Sequence, residues 1–191
     1  MAIDSNVVTL TAPKQRYEIA DYLKVGDTYY LMGAGFTSIN ESYGAQEDSK
    51  VYVNDKEQTT WLKSFQREFQ YDYDLIVSEK AVVALREVGA RGLTGTDAMF
   101  EYVKVDLFRP KSNDAENSSF YARHFIVSCV PDSEEGEGAD TITNSGTLKT
   151  VGNMTEGWFD IKTNSFSADA NAAATADAAS ANAGTATTQA N

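Results

Sequence analysis

The residues equipped for chemistry are few, and their spacing does not assemble them. The only histidine, His124, sits in the alternating segment FYARHFIVSCV beside Arg123 and Phe125, with no second histidine to complete a metal site and no nucleophile at a recognisable spacing. It reads as structural or solvent-facing. Cys129, the single cysteine, lies in the apolar run from Phe125 to Val130, which points to a small buried thiol, and no disulfide within the chain is possible. The acidic stretch Asp132 to Asp140 invites a calcium reading, yet an EF-hand loop begun at Asp132 needs Gly at its sixth position and Glu at its twelfth, where Glu137 and Thr143 stand. A solvated charged turn is expected there. Gly33 and Gly35 form G-A-G without the third glycine or the following helix of a dinucleotide site. Asp72 and Asp74 share the polar side of one strand, where solvation accounts for both. No catalytic, metal-binding or cofactor-binding residue is assigned, no cofactor is expected, and the chain is not expected to be an enzyme.

The elements that hold these residues are mainly strands. From Thr60 to Asp74 the chain alternates: Trp61, Phe65, Phe69, Tyr71 and Tyr73 point one way, Ser64, Gln66, Glu68, Gln70 and Asp72 the other. This predicts one long strand whose aromatic face is core and whose polar face is wet. Stacking of nucleic-acid bases on that aromatic stripe would need a basic groove beside it, and none is present. Between Ser78 and Gly89, Ala81, Ala84, Leu85 and Val88 recur at helical spacing, with Ser78 as N-cap and Gly89 or Gly92 as the stop. That is the one convincing helix, over about 78–89.

Around it, TYYLMG and FTSI read as a kinked hairpin hinged at Gly33 and Gly35. AMFEYVKVDLF and FYARHFIVSCV form an antiparallel hairpin with a polar tip at 111–119, and TITNSGTLKTV and TEGWFDIKTNSF form two more paired strands about a turn at Gly152. Three segments stand apart from this pattern. Residues 1–26 are weakly patterned, with Pro13 and the charged run Lys14 to Glu18, and suggest an arm or edge element. Residues 40–58 form a long polar excursion with at most one short strand, KVYV, and long excursions in compact domains are usually functional. Residues 168–191 are rich in Ala, with no larger aliphatic or aromatic side chain, so a flexible tail is expected. The intervening 27–167 is the folded domain.

The chain has 16 basic and 28 acidic residues and a net charge of −12. That is the wrong sign for holding nucleic acid or an anionic membrane by electrostatics. The N-terminus lacks the basic start and apolar core of a signal peptide, and no segment approaches the roughly 20 apolar residues that span a bilayer. Synthesis and folding in a cytoplasm are expected, and the sequons at Asn40, Asn117 and Asn153 are then coincidental.

The segments LMGAGFTSI at 31–39, KVYVND at 50–55, DLIVSEKAVVALREVG at 74–89, TGTDAMFEYVKVDLF at 94–108 and SGTLKTVGNMTEGWFD at 145–160, taken in order, resemble the major tail, or tail tube, proteins of long-tailed bacteriophages of Gram-positive hosts. The resemblance spans most of 27–167; the polar loop 111–119 and the Ala-rich tail depart from it. It implies a mainly β antiparallel sandwich or partly open barrel flanked by a helix. It further implies homohexameric rings stacked into a tube in the virion tail, other tail proteins (tape measure, terminator, baseplate or tip) as partners, and DNA in transient, non-adhesive passage. The excursion 40–58 becomes the candidate ring-stacking loop, with Tyr43, Gln46 and Tyr52 as anchors, and Glu68, Gln70 and Asp72 become candidates for a lumen or outer wet face. A terminator or decoration protein, or a ligand-binding β-sandwich, is the alternative.

Overall fold

Runs of alternating apolar and polar residues should form strands that bury one face, and ten strands are present in the computed structural model, which describes residues 13–111 and 118–177. They are β1 (Ile19–Val25), β2 (Thr28–Leu31), β3 (Phe36–Ser42), β4 (Ala45–Lys50), β5 (Thr59–Phe65), β6 (Glu68–Asp74), β7 (Met99–Pro110), β8 (Ser119–Glu135), β9 (Thr143–Asp160) and β10 (Ser165–Ala168). Helix α1 (Lys80–Arg91) follows β6, and a short helix, α2, spans 172–177. The main sheet is antiparallel throughout, in the order β2-β1-β7-β8-β9-β6-β3, with β10 also on β9. The two ends of that path, β2 and β3, are joined by only residues 32–35, so the sheet curls back on itself. The fold is the expected mainly β, helix-flanked architecture.

The inside of the curl holds the main core. Leu23, Ile39, Phe69, Tyr102, Phe125 and Leu148 meet there under the apolar stripe of α1, made by Ala81, Val82, Leu85 and Val88. Phe69 packs edge-on against Phe125 with centroids 5.1 Å apart. Each such ring contributes about 2 kcal/mol by burial, and well-placed ring pairs add about 1 kcal/mol. The helix runs two residues later than expected: Glu79, not Ser78, is its N-cap, without a side-chain cap bond, and left-handed Gly92 ends it as Leu93 N–H donates to Val88 O at 2.9 Å.

Several sequence expectations are corrected. The single strand over 60–74 is two strands, because Gln66 N–H closes on Gly44 O and the chain turns at Arg67. β5 then pairs with β4 in a separate two-stranded sheet, while β6 enters the main one. Trp61 and Phe65 are therefore exposed, not core. Residues 19–25 of the supposed arm form β1, a strand with neighbours on both sides and a fully buried Leu23. Its charges hid it: Asp21 is buried too, but is bonded by Arg16 and Tyr102. The two pieces flanking Gly33 and Gly35 do not pair with each other; they pair with β1 and β6. The turn expected at Gly152 is a bulge within one long β9, where the register on β8 shifts between His124↔Thr155 and Ile126↔Val151 and Gly152 takes φ +79°. Residues 131–135, placed in an acidic loop, extend β8, and Arg86 binds Glu134 at 2.6 and 3.1 Å.

The ordered chain also runs beyond 168. Ala172 and Ala176 are fully buried on Tyr121 and Trp158, Trp158 Nε1 donates to Asp169 at 3.0 Å, and Arg109 reaches Ala173 O at 3.0 Å and Asp177 at 2.6 Å. Alanine suffices here because the aromatic seat supplies the apolar area. The expected flexible tail otherwise lies outside the described residues from 178, as do residues 1–12 of the expected arm.

Candidate functional site

The side chains with catalytic potential are tied into the fold. His124 Nε2 lies 3.1 Å from Glu101, and its ring stacks on Phe166 at 5.0 Å. Glu101 also accepts from Lys24 at 2.6 Å and Tyr29 at 2.7 Å. Burial opposes ionisation of Glu101, but these donors outweigh it and hold its carboxyl at about 2. The Cys129 thiol is buried 3.3 Å from the Tyr71 hydroxyl, and burial pushes its pKa up, away from the reactive thiolate. Among the described residues no group of three or more His, Cys, Asp or Glu side chains is arranged to hold a metal ion. No helix among them is long and apolar enough to cross a membrane.

What the fold exposes is an apolar element. Every residue of β5 is exposed, and among the described residues β5 pairs only with β4. Leu62 and Phe65 keep 53% and 52% of their surface, and Tyr52 and Val53 in the connecting loop keep 57% and 103%. Exposed apolar side chains gathered on one hairpin in this way are unusual for a surface that faces only water. Of the expected loop 40–58, residues 40–42 instead finish β3 and 45–58 are the outgoing half of a β-hairpin over 45–65, whose strand is β4 (Ala45–Lys50) rather than KVYV at 50–53. Tyr43 lies at its root, Gln46 nearby on β4, where Nε2 donates to Gly44 O at 3.2 Å, and Tyr52 at its tip. The three share the element but not one spot. Sequence reasoning placed Trp61 and Phe65 in the core, because their alternation continues in phase with that of β6, and it gave Leu62 no place.

The root of the hairpin is fixed while its tip is free. Gly44 takes φ +54°, and a Cβ there would lie 2.0 Å from Gln66 O, so only glycine fits the crossing. The Arg67 guanidinium sits 5.1 Å from the ring centres of both Tyr43 and Phe65 and binds Glu41 at 3.3 Å. Its carbonyl accepts from Thr150 N–H and Oγ1 at 3.2 and 2.9 Å. Glu41 in turn takes both Arg123 guanidinium bonds, at 2.8 and 3.1 Å, and lies 3.3 Å from Lys104. Burial works against its charge, but Arg123 and Lys104 still hold the Glu41 carboxyl below the usual range. No spacing rule marks this cluster in the sequence, since its members come from β3, β7, β8 and the turn before β6.

The polar face of β6 is where alternation placed it. Phe69, Tyr71 and Tyr73 are buried, Gln70 and Asp72 exposed, and Glu68 half-buried on the opposite side. Asp72 accepts from Ser38 at 2.6 Å, and Gln70 reaches Glu68 at 3.5 Å.

No protein-family model matches the chain, and no curated protein does. Solved structures do. A chain in the virion of a native gene transfer agent particle superposes with a TM-score of 0.54 at 8% identity, covering 82% of this chain and 100% of its own length. A chain in the tail of an empty gene transfer agent particle, refined helically with C6 symmetry, gives 0.51 at 10% identity over the same shares. The fold is shared with tail-particle chains. At these identities the likeness is one of fold.

Proposed function

We propose that the chain is a structural subunit of a phage-like tail, assembling with copies of itself into hexameric rings that stack into a tail tube through which a genome passes. The observation that carries this reading is the fold shared with a chain in a six-fold symmetric tail. The projecting hairpin gives it a physical means. Contacts within a ring are heterologous and close after six copies, whereas stacking contacts do not close and so propagate. An apolar hairpin held rigidly at Gly44 and Arg67 reaches an adjacent ring, with Tyr52, Leu62 and Phe65 as the side chains that bury there and Tyr43 and Gln46 at the base of the contact. Glu68, Gln70 and Asp72 form part of a wet surface of the wall, and the net charge of −12 keeps DNA from adhering to it. The protein acts without catalysis, in the tail of a virion, alongside other tail components. Size-exclusion chromatography with negative-stain imaging of the purified chain tests this. Tubes or stacked rings are expected; a monodisperse monomer at all concentrations overturns it.

A further inference from the structure

The curled sheet does not close. β3 ends the strand path, so its outer edge has no strand partner among the described residues. Across from it, β1 pairs with β2 only from Tyr22 onward; before that, Met32 N–H donates to Asp21 O at 2.7 Å, Ile19 N–H donates to Arg16 O, and Ile19 O accepts from Arg16 Nη1 at 2.9 Å. Between these edges lies a groove of about 660 Å³ with Tyr17, Ile19, Leu31, Met32, Phe36 and Ile39 in its walls. A groove with the open edge of β3 on one side and apolar walls suits an added β-strand, whose main chain pairs with β3 and whose alternate side chains fill the walls.

We propose that this seam accepts residues 7–12 of a neighbouring copy of the chain, so that each subunit donates its N-terminal segment to the next; this rests on the assembly reading above. The sequence Val7-Val8-Thr9-Leu10-Thr11-Ala12 is uncharged and rich in β-branched residues, and when extended it sets Val8, Leu10 and Ala12 on one side. Pro13 biases Ala12 toward the extended conformation. The segment enters the described chain at the groove's own mouth, since Arg16 and Tyr17 in the turn before β1 line it. A copy's own segment is poorly placed to fill its own seam. Folded back through residues 13–18, it would lie beside Ile19 to Asp21 and then meet Leu31, which already sits opposite Tyr22. A neighbour's segment can approach from outside and run along the open edge of β3 instead, and twelve extended residues reach about 40 Å.

The chain suits a disulfide test, because its one native thiol, Cys129, is buried. In the full-length protein carrying Leu10→Cys and Thr37→Cys, oxidation is expected to yield a covalent ladder of dimers and larger species. Crosslinks confined to single chains, or no crosslinks, overturn the proposal. The double variant Val8→Asp, Leu10→Asp alters none of the described core residues and is expected to keep its circular dichroism while tube yield falls at least tenfold. Undiminished tubes from that variant also overturn strand donation and leave the assembly reading standing. If the unaltered chain forms no tubes, the assembly reading fails by itself, and the crosslinking result still decides whether the strand is donated.

Discussion

At the scale of single residues, Glu41 does the most to hold the curl together. It sits on the terminal strand of the sheet with a side chain 7% exposed, and it faces Arg123, Lys104 and Arg67 from three other parts of the chain. Replacing one partner of a buried ionic cluster leaves the others uncompensated, at a cost of about 3–5 kcal/mol. Glu41→Gln should therefore lower the urea midpoint markedly with little change in slope; a midpoint within error of the parent would show that the cluster is not a structural pin. Acid should act on the same groups. The carboxyls of Glu41 and Glu101 are both depressed in the folded state, so their contribution is present above the unfolded value near 4.5 and is lost as pH falls through the folded values, which for Glu101 means toward about 2. A stability profile should be flat from neutral pH to about 5 and fall steeply below 4.5. None of these partnerships was legible in the sequence: the separations are long, from Glu41 to Arg123 and from Lys24 to Glu101, and nothing local encodes them.

At the scale of elements, the β4–β5 hairpin and α2 give opposite expectations for stability and assembly. Trp61→Ser with Leu62→Ser alters exposed positions, so the thermal midpoint should hold to within about 0.5 kcal/mol of the parent's stability. Tubes should nevertheless disappear; tubes persisting would remove the hairpin from the stacking contact. Deleting residues 169–191 should do the reverse. It strips the cover from Tyr121 and Trp158 and leaves Arg109 without two acceptors, which costs about 1–3 kcal/mol and shifts tryptophan emission to the red. Deleting only 178–191 should leave both readouts unchanged. The strands themselves were readable from alternation, and α1 from its spacing of 3.6. Partner choice was not: residues 60–65 and 68–74 keep one phase across their break, so the pattern alone fuses a surface hairpin with a core strand. Likewise the fixed charges of Asp21 and Lys24 disguised β1, because a strand whose inward polar groups are all paired looks like a solvated one.

At the scale of the whole molecule, the surplus of acid over base acts at long range rather than through any one site. The chain should fail to retard duplex DNA in a gel at physiological salt, both as a monomer and in assembled form. A retarded band would show a basic surface hidden within the net charge of −12. Fold class was accessible from composition and periodicity, whereas topology was not, because the strand order is set by pairings between distant parts of the chain. Those pairings carry a temporal consequence. β1 pairs at once with β2 and β6 with the earlier β3, but β1 meets its second neighbour only at Ile19↔Asp106 and β6 only at Phe69↔Leu148. During synthesis at about 5–20 residues per second, each of these strands waits on the order of 10 s after emerging from the ribosome before its second partner exists. For that interval the nascent chain presents bare strand edges and the aromatic side of β6 to its surroundings. Its yield in a cell should therefore depend on how well ribosome-associated chaperones shelter the first ninety or so residues until the second half has been made.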